Sequence, residues 1–386
     1  MIYTYIVPCL FGIESLAGDE LKELGASNVS VRDGSVRFDG DESMLAKALI
    51  NLRYGERILI KVGEFRATTF EELFQGVKAV PWESFVGKKD SFPVKGYSIK
   101  SKLFSVPDCQ SIVKKAVVER LKLAYNLNWF EESSVKVQIQ FAILNDTITV
   151  SVDATGTALH KRGYRTQGNA APIRETLAAA MIRISRFRDG DTFCDPLCGS
   201  GTIAIEAAMA AANMAPGINR IFDAESFTFI PKAVWQKARS EALSKIKTPT
   251  SRIFASDIDP AALELSIANA KRANVDKFIN FSQTDVAKME LEVHKKEDGR
   301  LGYGKIICNP PYGERMFEIK EAESLYRTMG QSFGKLKGFQ CFIITSHEGF
   351  EGFFGHRADK KRKLYNGMIK CDLYQYINLG KVKLSD

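Results

Sequence analysis

Apolar positions along the first 64 residues switch between two periods. Runs with alternating or continuous apolar residues at 2–8, 28–33, 35–39 and 56–64 predict strands, and helical spacing at 14–25 and 42–53 predicts helices between them. Asp33-Gly34 supplies the residues a tight hairpin turn needs between the two middle strands. Beyond this block, helices are predicted at 69–80 and 108–125, an extended segment at 92–100, and strands at 135–144 and 147–153. In the second helix Ile112, Val113, Ala116, Val117, Leu121 and Ala124 keep one face, while Lys114, Lys115 and Lys122 fall elsewhere on the circumference. The second half alternates differently. Strands Thr192-Phe193-Cys194, 252–257, 278–284 and Lys305-Ile306-Ile307-Cys308 are separated by helical stretches, of which the Ala-rich one from Thr202 to about Ala215 is the clearest.

The strand–helix–strand–strand–helix–strand order of the first 64 residues is that of a ferredoxin-like unit, a fold that settles no function by itself. The second half predicts a Rossmann-like α/β sheet, and its chemistry sits where strands end. Asp195-Pro196-Leu197-Cys198-Gly199-Ser200-Gly201-Thr202 follows the first of those strands. Gly199 and Gly201 permit the tight strand-to-helix turn and a close ligand approach, and an acid ahead of them can hold a cationic group. The same glycines fit GxGxxA, which also suits a nicotinamide dinucleotide. Asp257 ends the next strand, where its carboxylate can accept both hydroxyls of a ribose. Asp285 closes the run 278–284 and can take an adenine amino group. Each acid has a competing reading as a helix cap; Asp259-Pro260 reads as a helix start, which makes Asp259 the cap and leaves Asp257 for a ligand.

Asn309-Pro310-Pro311-Tyr312 after the run 305–308 is the most specific signal. A planar exocyclic amine is a weak nucleophile because its lone pair is delocalised into the ring. The Asn309 side-chain oxygen and the Pro310 carbonyl can each accept one N–H and leave the lone pair aimed at an electrophile, while Tyr312 offers a face for stacking. The competing reading is a rigid turn, since consecutive prolines cannot extend a ladder. Taken together, DPLCGSGT and NPPYGER at 309–315 resemble the bacterial 23S ribosomal RNA guanine-N2 methyltransferases of class I, over residues from about 160 to 386. The resemblance implies S-adenosylmethionine as cofactor. It implies that Asp195, Gly199 and Gly201 surround its methionine part and that Asp257 and Asp285 hold its nucleoside, counts Leu197, Cys198, Thr202, Ile258 and Asn309 among the cofactor-binding residues, and makes Asn309, Pro310, Pro311 and Tyr312 the catalytic loop. Asp195 and Asp257 stand 62 positions apart, far more than a simple unit of this kind allows, so an insertion near 215–250 is expected as a lobe near the site.

Residues from about 65 to 155 resemble a THUMP domain, an RNA-binding module, and the segment from Gly156 to Arg165 is similar to the one that joins it to the methyltransferase in that family. The expected division is therefore a ferredoxin-like domain at 1–64, a THUMP domain at 65–155, a basic linker at 156–170 and a methyltransferase domain at 171–386. The net charge of +8 favours a polyanionic partner, and seven basic residues against one acid between Lys161 and Arg188 suggest where it binds. Lys161, Arg162 and Arg165 are the expected RNA contacts, against the alternative of a solvated face.

Other chemistry is thin. Seven cysteines without CxxC spacing argue against a disulfide framework or a zinc ribbon, and the four histidines show no metal spacing. No apolar stretch approaches the roughly 20 residues a bilayer crossing needs, and residues 1–8 lack a basic leader, so a cytoplasmic protein is expected. The reading that results is methyl transfer to a guanine N2 in RNA, with 23S ribosomal RNA or a ribosomal precursor as substrate. A tRNA guanine-N2 methyltransferase, a non-catalytic RNA-binding relic and an oxidoreductase are its rivals; a DNA adenine or protein glutamine methyltransferase shares NPPY but would not need this N-terminal half, and no obligate protein partner is implied.

Overall fold

The computed structural model describes residues 1–165, 173–293, 303–313 and 316–379. Pro172, which the stretch 172–178 offers near the first turn of a helix, lies outside them. The elements run β1 (Tyr3–Pro8), α1 (Glu14–Glu23), β2 (Ser27–Arg32), β3 (Ser35–Gly40), α2 (Glu42–Asn51), β4 (Leu59–Arg66), α3 (Phe70–Lys78), β5 (Val94–Ile99), α4 (Val106–Tyr125), β6 (Ile139–Leu144) and β7 (Thr147–Asp153). They continue as α5 (Glu175–Ile184), β8 (Thr192–Asp195), α6 (Thr202–Ala211), α7 (Lys232–Leu243), β9 (Arg252–Asp257), α8 (Pro260–Arg272) and β10 (Ile279–Gln283). The last are β11 (Gly304–Cys308), α9 (Met316–Phe333), β12 (Phe339–Thr345), α10 (Phe350–Phe354), β13 (Lys360–Asn366) and β14 (Ile369–Tyr376). No described helix is long and apolar enough to cross a membrane.

Two compact units divide the chain. The first holds Met1–Cys9, Gly18–Leu159 and Arg220–Glu241; the second holds Leu10–Ala17, His160–Asn219 and Ala242–Asp386. In the first, all seven strands form one sheet in the order β2-β3-β1-β4-β7-β6-β5. The ferredoxin-like strands therefore do not close on themselves. β4 pairs with β7 from Leu59↔Asp153 to Arg66↔Thr147, with a bulge between Lys61 and Gly63, and this ladder carries the sheet across the expected boundary at residue 64. Local signals set the helix ends. Asp41 accepts the Met44 N–H at 2.8 Å to start α2, and Thr69 and Glu72 form a reciprocal capping box at α3. The segment 220–241, expected as a lobe near the site, belongs instead to this first unit. Its Ala224 N–H bonds the Ala154 carbonyl at 3.1 Å, and Phe229 meets Phe85 edge-on at 5.4 Å.

The second unit is built on a sheet of order β10-β9-β8-β11-β12-β14-β13. Its first five strands are parallel and β14 enters antiparallel to β12, with Cys341↔Tyr376 and Thr345↔Asp372 as the ends of the register. β8 and β11 are buried at every residue, as expected of central parallel strands covered on both faces. Tyr326, Met329, Phe333, Phe350 and Phe354 form the apolar layer beneath β11 and β12. Strand order reverses between β8 and β11. Ligands of such sheets bind outside the carboxyl ends of the strands at that reversal, and both motifs singled out in the sequence stand there.

Candidate active site

β8 ends at Asp195, and the chain then turns through two left-handed glycines, Gly199 at φ +50° and Gly201 at φ +79°, into α6. The loop is strapped to β9. The Cys198 N–H bonds the Ser256 carbonyl at 2.9 Å, the Gly199 N–H bonds Asp257 Oδ2 at 2.9 Å, and the buried Asn269 amide holds the Ser200 carbonyl at 2.9 Å. A Cβ at Gly201 would stand 2.2 Å from Ser266 Oγ, whereas one at Gly199 would meet nothing within 4 Å. One glycine thus serves packing, and the other leaves open space. α6 carries no side-chain cap, so the positive end of its dipole opens on the cleft beside Thr202 and Ile203.

The cleft measures about 480 Å³. Asp195, Leu197, Cys198, Gly199 and Thr202 line one side, and Asn309, Pro310, Pro311 and Tyr312 line the other. Two motifs more than a hundred residues apart in sequence thus share one cavity. Asp195 is 1% exposed, and its Oδ1 has no hydrogen-bond partner among the described residues. Burial pushes its carboxyl well above the usual carboxylate range, with the nearby charge of Asp257 adding to the shift and the Leu197 N–H opposing it. A buried, half-satisfied acid is costly, and a cationic amine placed there would relieve it.

The residues of the expected catalytic loop are held by side chains. Tyr312 donates its hydroxyl to Asn309 Oδ1 at 2.6 Å and is reached by the Asn366 side chain, and Tyr326 donates to the Pro311 carbonyl at 2.8 Å. Burial pushes the Tyr312 hydroxyl far above its ordinary value, so it stays a donor. Donation into Oδ1 fixes which end of the Asn309 amide is the acceptor and leaves that oxygen a second lone pair.

The remaining predicted residues are placed less uniformly. Gly201, Asp257, Ile258 and Asp285 do not line this cleft. Asp257 touches it through Gly199, and its other oxygen accepts the Asp259 N–H at 3.0 Å; Ile258 is 61% exposed beside it. Asp259 caps α8 through the Ala261 N–H, as its sequence suggested. Asp285 caps a short turn through the Ala287 N–H at 2.9 Å, which uses one of its oxygens. The expected RNA contacts need a correction. Arg162 is buried and faces the buried Glu206 at 3.5 Å, with Tyr164 donating to the same carboxylate. Arg165 grips the buried Glu175 at 2.6 Å. Burial removes Arg162 from any phosphate, and pairing occupies Arg165; Lys161 alone of the three is exposed. The sequence reading also missed Asn366 and Ile369, which line the cleft from the β13–β14 hairpin, although Asn366-Gly367 is a turn signal.

Known proteins match this arrangement along the whole chain. Residues 162–375 match the RMKL-like methyltransferase domain, residues 4–59 the RlmL ferredoxin-like domain and residues 67–153 the THUMP domain. The chain belongs to the RMKL-like methyltransferase family. YpsC of Bacillus subtilis, named a candidate RNA methyltransferase, is 44% identical to this methyltransferase over 97% of the chain and 96% of its own length. The ribosomal RNA large subunit methyltransferase K/L of Psychromonas ingrahamii is 31% identical over 97% of the chain, which spans 50% of that protein. Among solved structures, SMU.472, a candidate methyltransferase complexed with SAH, is similar at 39% identity with a TM-score of 0.90, covering 97% of this chain and 98% of that one. A candidate N6-adenine-specific DNA methylase from Listeria monocytogenes is similar at 40% identity and the same TM-score, covering 97% and 96%. S-adenosylmethionine is the cofactor of this methyltransferase, and the unpartnered Asp195 oxygen, the open space at Gly199 and the uncapped α6 fit its charged amino acid end.

Proposed function

We propose that this methyltransferase modifies the exocyclic N2 amine of a guanine in RNA, and that its substrate is 23S ribosomal RNA. RNA methylation follows from the family; the guanine amine and the large-subunit RNA are the finer reading. The observation that carries it is the Asn309 side chain at the end of β11, held by Tyr312 in the same cleft as Asp195 and Gly199. When bound, S-adenosylmethionine supplies a methyl group that is already activated for transfer. The protein then has to align and desolvate. Asn309 Oδ1 and the Pro310 carbonyl accept the two amine hydrogens and turn the nitrogen lone pair out of conjugation. The nitrogen, cationic once the new C–N bond has formed, loses a proton to water. A paired guanine hides this edge, so the base is taken unpaired or flipped, with the Tyr312 ring beside it. The large-subunit substrate is supported by the K/L relative and the THUMP match.

Single-turnover methyl transfer with saturating RNA tests the loop. Asn309→Ala is expected to leave cofactor affinity intact and to slow transfer by roughly 10²–10³, the usual cost of one preorganised polar group at a reacting centre. Asn309→Asp, which keeps an acceptor, is expected to retain more activity than Ala. Transfer by Asn309→Ala at the parental rate would reduce the loop to a turn.

A further inference from the structure

The β13–β14 hairpin carries a charge pattern that the catalytic geometry leaves unused. Between Arg357 and Asp372 stand six basic residues, Arg357, Lys360, Lys361, Arg362, Lys363 and Lys370, against two acids, Asp359 and Asp372. Some of these are spoken for. Arg362 donates to the Gly12 carbonyl at 3.1 Å, and Lys361 pairs with Glu351 and lies over the Tyr374 ring at 5.1 Å. Lys360, Lys363 and Lys370 are exposed, and no ion pair engages them among the described residues. β13 is the outermost strand of its sheet; Lys363 and Lys370 share one face of the hairpin and Lys360 lies on the other, so the three meet at its open edge and not in a buried seam.

The hairpin tip reaches the cleft. Asn366 and Ile369 line it, Asn366 touches the Tyr312 hydroxyl, and Met368 between them is 97% exposed. Beside the tip, Phe11 is 56% exposed and sits edge-on to Tyr365 at 6.0 Å, while Lys370 is the cross-strand neighbour of Tyr365. Exposed cations along an edge whose tip carries the exposed Met368 and the Phe11–Tyr365 pair, and lines the cleft that holds Asn309, suit a chain of phosphates and bases.

We propose that this hairpin is the RNA-holding edge of the catalytic unit: Lys360, Lys363 and Lys370 contact phosphates flanking the target nucleotide, and Met368 with the Phe11–Tyr365 pair holds a neighbouring base. The inference rests on the reading of the substrate as RNA. It assigns the phosphate contacts to the far end of the sequence, where the buried Arg162 and paired Arg165 cannot supply them.

The test compares two full-length triple variants that lose the same charge. One carries Lys360→Gln, Lys363→Gln and Lys370→Gln; the other carries Lys271→Gln, Lys277→Gln and Lys337→Gln, three exposed lysines elsewhere in the same unit. Affinity for ribosomal RNA is measured across a salt series, together with KM and kcat for methyl transfer and affinity for S-adenosylhomocysteine. The hairpin variant is expected to raise the KM for RNA by about an order of magnitude, and to lower the slope of log affinity against log salt by about two to three. Its product affinity and its kcat at saturating RNA should stay near parental. The control variant is expected to change the slope by less than about one. Equal slopes in both variants, or an unchanged slope in the hairpin variant, would overturn the proposal. A parental protein that methylates no RNA would instead overturn the substrate reading on which it rests.

Discussion

Asp195 carries a cost to the fold that a bound cation would relieve. Its carboxyl is buried with one oxygen unpartnered, and its acidity is weakened by that burial. An acid whose pKa is higher folded than unfolded binds more protons in the native state, so its contribution to stability is lost as pH rises from the unfolded value towards the folded one. At neutral pH the ligand-free protein therefore carries a penalty that Asp195→Asn removes. Thermal unfolding without ligand should show Asp195→Asn equal to or more stable than the parent, by up to about 1–3 kcal/mol. Added S-adenosylhomocysteine should stabilise the parent and leave the variant nearly unmoved. A variant that is destabilised yet still gains the full ligand shift would remove Asp195 from the cofactor site. The sequence alone put Asp195 and Asn309 forward because each stands at the end of a strand, and the fold brings both to one cleft. It did not show the fate of Arg162, whose partner Glu206 lies 44 residues downstream and is brought near only by packing of the linker on α6.

At the scale of elements, the legible parts were those that one short segment determines alone. The turn between β8 and α6 needs left-handed backbone at two positions, and only glycine adopts it without strain, so Gly199 and Gly201 announce the turn directly. Their environments differ, and so should their substitutions. Gly201→Ala must move Ser266 as well as strain the backbone, and is expected to cost about 2–4 kcal/mol, roughly 5–15 °C in melting temperature. Gly199→Ala meets no neighbour and is expected to cost about 1–2 kcal/mol from backbone strain. Differential scanning calorimetry of the two variants decides this, and a Gly199→Ala loss equal to or larger than that of Gly201→Ala would contradict the packing role given to Gly201. The β13–β14 hairpin was less legible. Its lysine run matches no motif, and only the fold brings its tip to the cleft that holds Asp195 and Asn309.

Across the whole molecule, long-range pairing decided what the sequence could not. The β4–β7 ladder joins residues nearly a hundred positions apart and merges two expected domains into one sheet, and no local period reports such a partner. The two compact units also exchange segments, since Leu10–Ala17 belongs with the catalytic sheet and Arg220–Glu241 with the N-terminal one. Gly12 explains the first of these: its carbonyl accepts Arg362, and its Cα packs against Lys363 and Leu364 so closely that a Cβ there would meet backbone at 2.7 Å. The full chain is therefore the proper material for any activity measurement. The central claim, methyl transfer to a guanine N2 amine in ribosomal RNA, is tested most directly by incubating the full-length protein with isotope-labelled S-adenosylmethionine and large-subunit RNA from cells lacking the gene. The RNA is then digested to nucleosides and analysed by mass spectrometry. The account predicts that the label appears in N2-methylguanosine and falls by two orders of magnitude or more with Asn309→Ala; label in N6-methyladenosine, or none in any nucleoside, would contradict it.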